Sequence, residues 1–173
     1  MENPNDLLKL TPPVKGIYDY WRSLPTCEGL PLKSALDPVR IPSGFLPHIF
    51  LVQLEYNPFA AFVRLQGTYL NYSLGQYFTD KYVDESTFGD SAAIILASYE
   101  EAATKRMAYV SQEEIQSSKY QSILIEAIHL PMVDDVGDVK FILGALSRIS
   151  GADSTDLEFR GRHWDIKARS QIA

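Results

Sequence analysis

The 173-residue chain holds a single cysteine, Cys27. No disulfide can close within it and no zinc site of four cysteines can form, which fits a reducing cytoplasm. Basic residues are in deficit: 16 lysines and arginines against 22 acids leave a formal charge of −6. That balance argues against non-specific nucleic-acid binding, which needs a basic footprint. Long apolar runs are missing too; stretches such as "AAIILA" (Ala92–Ala97) fall far short of the roughly 20 residues that span a bilayer. The opening "MENPNDLLKL" has no basic segment leading into an apolar one, so no signal peptide is expected. The three histidines, His48, His129 and His163, stand apart without metal-ligand spacing. A nucleophile elbow, a P-loop and a dinucleotide fingerprint are absent as well. The expectation is a cytoplasmic, non-catalytic protein with no cofactor, no metal site, no nucleic-acid partner and no membrane association.

Apolar residues make up 46% of the chain and aromatics 12%, enough to build one sizeable core and too many for a disordered segment. In "TPPVKGIYDYWRSL", Val14, Ile17, Tyr18, Trp21 and Leu24 recur at helical spacing, with Thr11 placed as N-cap and proline tolerated in the first turn. A proline-rich but leucine-punctuated connector follows over 25–47. "HIFLVQLE" and "AFVRLQG", joined across "YNP", predict a hairpin over 48–67. "TYLNYSLG" predicts a short helix stopped by Gly75, and "SAAIILASYEEAATKR" a longer one capped by Asp90 or Ser91. Three strands are expected at about 107–115, 119–130 and 138–149, the last two joined by the turn signal "VDDVGD". Strands in two runs around helices argue for an α+β fold with an antiparallel sheet. The chain divides into an N-terminal extension (1–14), a core domain (15–149) and a polar, mildly basic tail (150–173), the one separable element.

Side-chain alternation places apolar residues on both faces of this sheet: Ile49 and Leu51 against Phe50, Val52 and Leu54, and Phe141 and Leu143 against Ile142 and Leu146. A sheet with one wet face would alternate with polar residues. The second face therefore needs a cover, either the N-terminal helix or a second subunit, and the latter predicts a homodimer.

Three stretches in order, "YWRSL…LPLKSALDPVRIPSGFLPHIFLVQLE", "FVRLQGT" with "GQYFTDKYVDE", and "EAIHLPMVDDVGDVKFILGAL", resemble a PAS-domain family best known from alphaproteobacteria. The resemblance spans roughly 15–147. One departure is Thr79-Asp80, where the family often has Thr-Gly; aspartate tolerates a left-handed backbone better than most residues. The resemblance implies a PAS-like five-stranded antiparallel sheet flanked by short helices. It also implies a sensory or regulatory role, with a pocket between sheet and helices and signalling through dimerisation. A small metabolite or second-messenger ligand, or a partner protein, would suit that class. The cysteine motif of relatives that bind flavin covalently is absent.

Candidate pocket residues are Phe62, Arg64, Tyr69, Tyr72, Glu126 and His129. Arg64 is a charge inside an apolar strand. It has three readings, in order of preference: an internal ion pair with Glu126, itself a lone charge in "SILIEAIHL"; a cation for an anionic ligand; or a solvated residue. Tyr69, Tyr72, Tyr77 and Tyr82 cluster around the short helices and suit either a pocket wall or plain packing. His129 reads as a core or groove residue. Two functional readings follow: a non-catalytic sensor of a small ligand or partner, and a ligand-free interaction module whose core fills itself.

Overall fold

Thr11 and the two prolines behind it open the first helix, α1 (Pro12–Ser23), in a computed structural model that describes residues 10–116, 122–151 and 163–172. The expected stripe is buried: Val14 and Ile17 have no exposed surface, and Tyr18, Trp21 and Leu24 retain little. A small hairpin of β1 (Thr26–Cys27) and β2 (Leu30–Pro31) follows, then short 3-10 turns up to His48. The long hairpin is β3 (Ile49–Glu55) and β4 (Ala60–Gln66). Next come α2 (Thr68–Leu74), ended by Gly75 in the left-handed region at φ 64°, and the two-residue β5 (Lys81–Tyr82). Asp80 leads into β5 at φ 63°, so the aspartate does adopt the left-handed turn. A capping box between Asp84 and Thr87 starts α3 (Glu85–Phe88), and α4 (Ala92–Lys105) closes the helical segment. The chain then builds β6 (Ala108–Gln116), β7 (Ser122–Val133), β8 (Val139–Gly151) and β9 (His163–Ile172).

The main sheet is antiparallel throughout and ordered β5-β4-β3-β8-β7-β6-β9. It has seven strands among the described residues, not the five expected. The five are the central run β4-β3-β8-β7-β6; β5 and β9 extend its two edges. β5 is too short to give an alternation signal. β9 sits at an edge, where half-solvated positions carry the polar residues that made 150–173 read as a tail. Residues 150–151 end β8, and 163–172 pair along the whole of β6.

α1 packs across the outer face of β7 and β8, and the Trp21 Nε1–H donates to the Pro131 carbonyl at 3.1 Å. The N-terminal helix is thus the cover that the second apolar face demanded. Each fully buried aliphatic side chain in this layer contributes on the order of 2 kcal/mol. The helix lacks an acidic residue in its first turn, and the Thr11 side chain does not cap it. Its start is tied down instead by Glu126 of β7, whose carboxylate accepts from Thr11 N–H at 2.8 Å and from Thr11 Oγ1–H at 2.7 Å. A buried carboxylate at a helix N-terminus gains from both the free N–H groups and the helix dipole.

Glu126 is therefore not the partner of Arg64. Val52 pairs with Val63 and Leu51 with Leu65, so Arg64 is the extra residue of a β-bulge. Its side chain is exposed and lies over the Phe62 ring at 5.8 Å, with no hydrogen bond or ion pair among the described residues. The solvated reading is the one the structure shows. The preferred sequence reading failed because it took Phe62, and with it Arg64, to face the interior. Val63 and Gln66 hold that face, while Phe62 turns its ring edge-on to Tyr82.

Gly67 ends the hairpin where the chain passes close to an earlier turn. Its N–H donates to Ile49 O at 2.8 Å, and a Cβ there would lie 2.2 Å from the carbonyl oxygen of Pro47.

Two predictions follow from these ties. In urea unfolding, Glu126→Ala should cost about 2 kcal/mol, the worth of charge-assisted hydrogen bonds, whereas Arg64→Ala should stay within about 0.5 kcal/mol. Equal losses from both would contradict the assigned faces. Gly67→Ala should cost more than 2 kcal/mol by the same measurement, roughly the scale of overpacking against rigid backbone. A neutral result would mean that the α2 turn yields freely.

Candidate functional site

The inner face of the sheet and α2–α4 do not close completely. Between them lies a cavity in which the centre of a water molecule can occupy about 60 Å³, several times the space that one water needs. Leu70 and Leu74 of α2, and Ile94, Ile95, Ser98 and Tyr99 of α4, form its roof. Phe78 and Phe88 stack at 4.2 Å between ring centroids and close one flank. The floor is Phe50 and Val52 of β3, Val63 and Gln66 of β4, Ala127 and His129 of β7 and Leu146 of β8. Glu113 of β6 and Trp164 and Ile166 of β9 complete the far end.

Gly144 of β8 shapes this floor. A Cβ there would lie 2.0 Å from the Phe50 ring, so glycine lets that ring lie flat across β8. Phe50 then reaches His129 and Tyr99, with centroids 5.9 Å and 6.5 Å away. The His129 imidazole sits edge-on to Tyr99 at 5.5 Å.

Most polar groups in the wall are already satisfied by protein. The Gln66 amide donates to Gln76 O at 3.0 Å and accepts from Phe78 N–H at 2.8 Å. Ser98 Oγ–H donates to Ile94 O at 3.1 Å. Glu113 accepts from the Ser111 hydroxyl and, at 2.5 Å, from the Trp164 indole N–H. Arg169 of β9 lies outside the wall, 4.2 Å above the Tyr109 ring, paired with Glu101 and donating to Ser98 O at 3.1 Å. His129 differs: its Nδ1 is buried with no hydrogen-bond partner, and it is the one such atom in the cavity wall among the described residues.

Burial decides the charge states. It lowers the His129 pKa from 6.5 to about 3, and the positive charge of Arg169 adds to the effect, so the imidazole is neutral near pH 7. Burial likewise pushes the Glu113 carboxyl up, against the opposing hydrogen bonds of Ser111 and Trp164 and the charge of Arg169. The Tyr99 phenol is raised by burial and by Glu113. Among the described residues no lysine or arginine lines the cavity. Among the described residues no group of three or more histidine, cysteine, aspartate or glutamate side chains could hold a metal. No helix there is long and apolar enough to cross a membrane.

Of the six residues singled out from sequence, His129 alone lines the cavity. Glu126 lies on the opposite face under α1, and Phe62 and Arg64 belong to the outer side of the hairpin. Tyr69 stacks on His48 at 4.0 Å, and its oxygen accepts from Arg148 N–H. Tyr72 is 57% exposed, and Tyr77 and Tyr82 are exposed as well, so the tyrosine cluster is not the wall. Glu113, Tyr99 and Trp164 were missed. Glu113 was findable: it alternates with Tyr109, Ser111 and Ile115 on what reads as an inward face. Trp164 was one of two large aromatics, with Phe159, in the polar 150–173 segment.

The family model for the PAS domain, PAS_5, matches residues 10–147. The chain belongs to the PAS domain family. No curated protein and no solved structure matches it. Four of the five central strands, β8 as far as Ser147 and nearly the whole cavity wall fall inside the matched range. Trp164 and Ile166 of β9 lie beyond it, so the strand that closes one end of the cavity is an addition to the matched region.

The burial of neutral His129 carries a pH signature. Its folded pKa lies below the unfolded value, so its contribution to stability is full above pH 6.5 and is lost as pH falls toward about 3. Between pH 7 and pH 5.5 the wild type should lose about 1 kcal/mol relative to His129→Leu, as read by urea denaturation at each pH. Parallel pH profiles for the two proteins would show that His129 protonates freely in the folded state.

Proposed function

We propose that this PAS domain is a non-catalytic sensory or regulatory module whose cavity takes a small molecule. PAS domains are in general sensory or regulatory units, and the observation that carries the finer reading is the cavity itself. It is walled almost entirely by apolar side chains, yet one of its lining residues, His129, carries a ring nitrogen left without a partner. Pockets of this composition, mostly apolar with few polar groups, are the usual form of small-ligand sites.

The same cavity suggests a route for the signal. Trp164 and Ile166 belong to β9, so an occupant touching them touches the edge strand of the sheet. A ligand can shift only states that it binds unequally. β9 is held by Trp164 N–H donating to Ser91 Oγ, by the Glu113–Trp164 bond and by the Arg169–Glu101 pair, all near the cavity end. The homodimer expected from two apolar faces has less to rest on, because α1 occupies the second face. Exposed apolar side chains do remain for it, Leu65 and Tyr82 on the β4–β5 edge among them, 39% and 43% exposed.

The competing reading is a ligand-free interaction module, and the modest size of the cavity favours it. Native mass spectrometry of protein purified without denaturant separates the two. The sensor reading expects an added small mass that is lost on denaturation, or a raised melting temperature with at least one small molecule. A ligand at about 100 times its Kd should add roughly 2.7 kcal/mol. A bare mass together with no shift from any neutral or anionic compound would leave the interaction module as the function.

A further inference from the structure

Resting on the reading of the cavity as a ligand site, we propose that its occupant is a small, uncharged, largely apolar molecule bearing a hydroxyl group, and that His129 is the residue that selects it. The excluded classes come first. Among the described residues no lysine or arginine lines the wall, and Arg169 outside it is paired with Glu101, so a phosphate or carboxylate would be desolvated beside the Glu113 carboxyl with no free cation to compensate it there. A cation would meet a single acid among the described lining residues, Glu113, whose two oxygens each already accept a hydrogen bond, from Ser111 and from Trp164. The volume of about 60 Å³ open to water centres suits a single ring or a short chain, not a nucleotide.

The hydroxyl follows from the one unmet need of the wall. His129 lines the cavity and its Nδ1 is sealed among protein atoms without a partner, so the imidazole has hydrogen-bonding capacity unspent on the protein that an occupant meeting the ring can use. A neutral histidine carries one donor and one acceptor nitrogen, and the tautomer decides which of them is Nδ1. A hydroxyl can donate or accept, so it meets whichever ring nitrogen of His129 it reaches from the cavity, in either tautomer. Phe50 and Tyr99 flank the imidazole with aromatic surface, which suits a ring or chain attached to that hydroxyl.

The experiment compares three probes of nearly equal size by ligand-observed ¹⁹F NMR titration of the full chain: 4-fluorophenol, 4-fluorotoluene and 4-fluorobenzoate. Exchanging hydroxyl for methyl keeps the shape and removes the hydrogen bond. We expect 4-fluorophenol to bind about fivefold more tightly than 4-fluorotoluene, in keeping with one buried hydrogen bond, with the two competing for one site and 4-fluorobenzoate not binding. His129→Leu should bring the ratio to about one while retaining apolar binding. His129→Asn, which keeps both a donor and an acceptor, should preserve a preference for the phenol. Equal affinity of phenol and toluene for the wild type would overturn this inference and leave the small-ligand reading standing. Tightest binding of benzoate would overturn it in favour of an anion site, and a ratio unchanged in His129→Leu would remove His129 from the selection. Binding of none of the three would overturn the inference; only the bare mass and flat melting screen described above would overturn the sensor reading with it.

Discussion

β7 and β8 run side by side through the middle of the sheet with apolar side chains on both faces, and each face has to be covered. Ile128, Leu130 and Leu143 have no exposed surface, and neither do Ile123, Ile125 and Ile142. An uncovered face would place several large aliphatic side chains in water at about 2 kcal/mol each. The chain meets this demand with α1 on one side and α2–α4 on the other. The two covers differ in kind. α1 lies flat, seals its face and is locked to it by Glu126 and by the Trp21–Pro131 hydrogen bond. The other cover is assembled from three helices, α2, α3 and α4, separated by turns, and separate segments leave gaps above a twisted sheet. The cavity is what that imperfect seal leaves.

Polar groups in the cavity follow from the same arrangement. β6 brings Glu113 inward, where a bare carboxylate would be expensive, and the added strand β9 brings Trp164 to meet it. The edge strand thus satisfies a buried acid and walls the cavity at once. His129 has no such neighbour. Burial keeps it neutral and leaves its nitrogen the most conspicuous chemical feature of an otherwise greasy space.

Much of the fold was legible in the chain. The amphipathic stripe of α1, the hairpin across "YNP", the stop at Gly75, the left-handed Asp80 and the three long strands all appear where spacing and turn chemistry placed them. Each depends on neighbours close in sequence, and period and backbone preference report on those. The candidate site was far less legible. Arg64 and Glu126 looked like partners because both are charges in apolar strands. A bulge of one residue and a helix start more than a hundred positions from Glu126 gave them separate fates. The tyrosines around α2 suggested a wall, but the wall is built by Phe50, Tyr99 and Trp164, which come from three distant elements.

Local composition and periodicity by themselves determined that this is an antiparallel α+β domain with a sheet apolar on both faces, because strand alternation and helical stripes are written residue by residue. Three quoted stretches carried the resemblance to the PAS family. Tertiary structure alone decided which face each strand residue takes after a bulge, that the last ten described residues join the sheet, and that His129 is left without a partner. These outcomes turn on register and on contacts between residues far apart in the chain. A shift of one position in pairing reverses every side chain beyond it, and no local pattern records that shift.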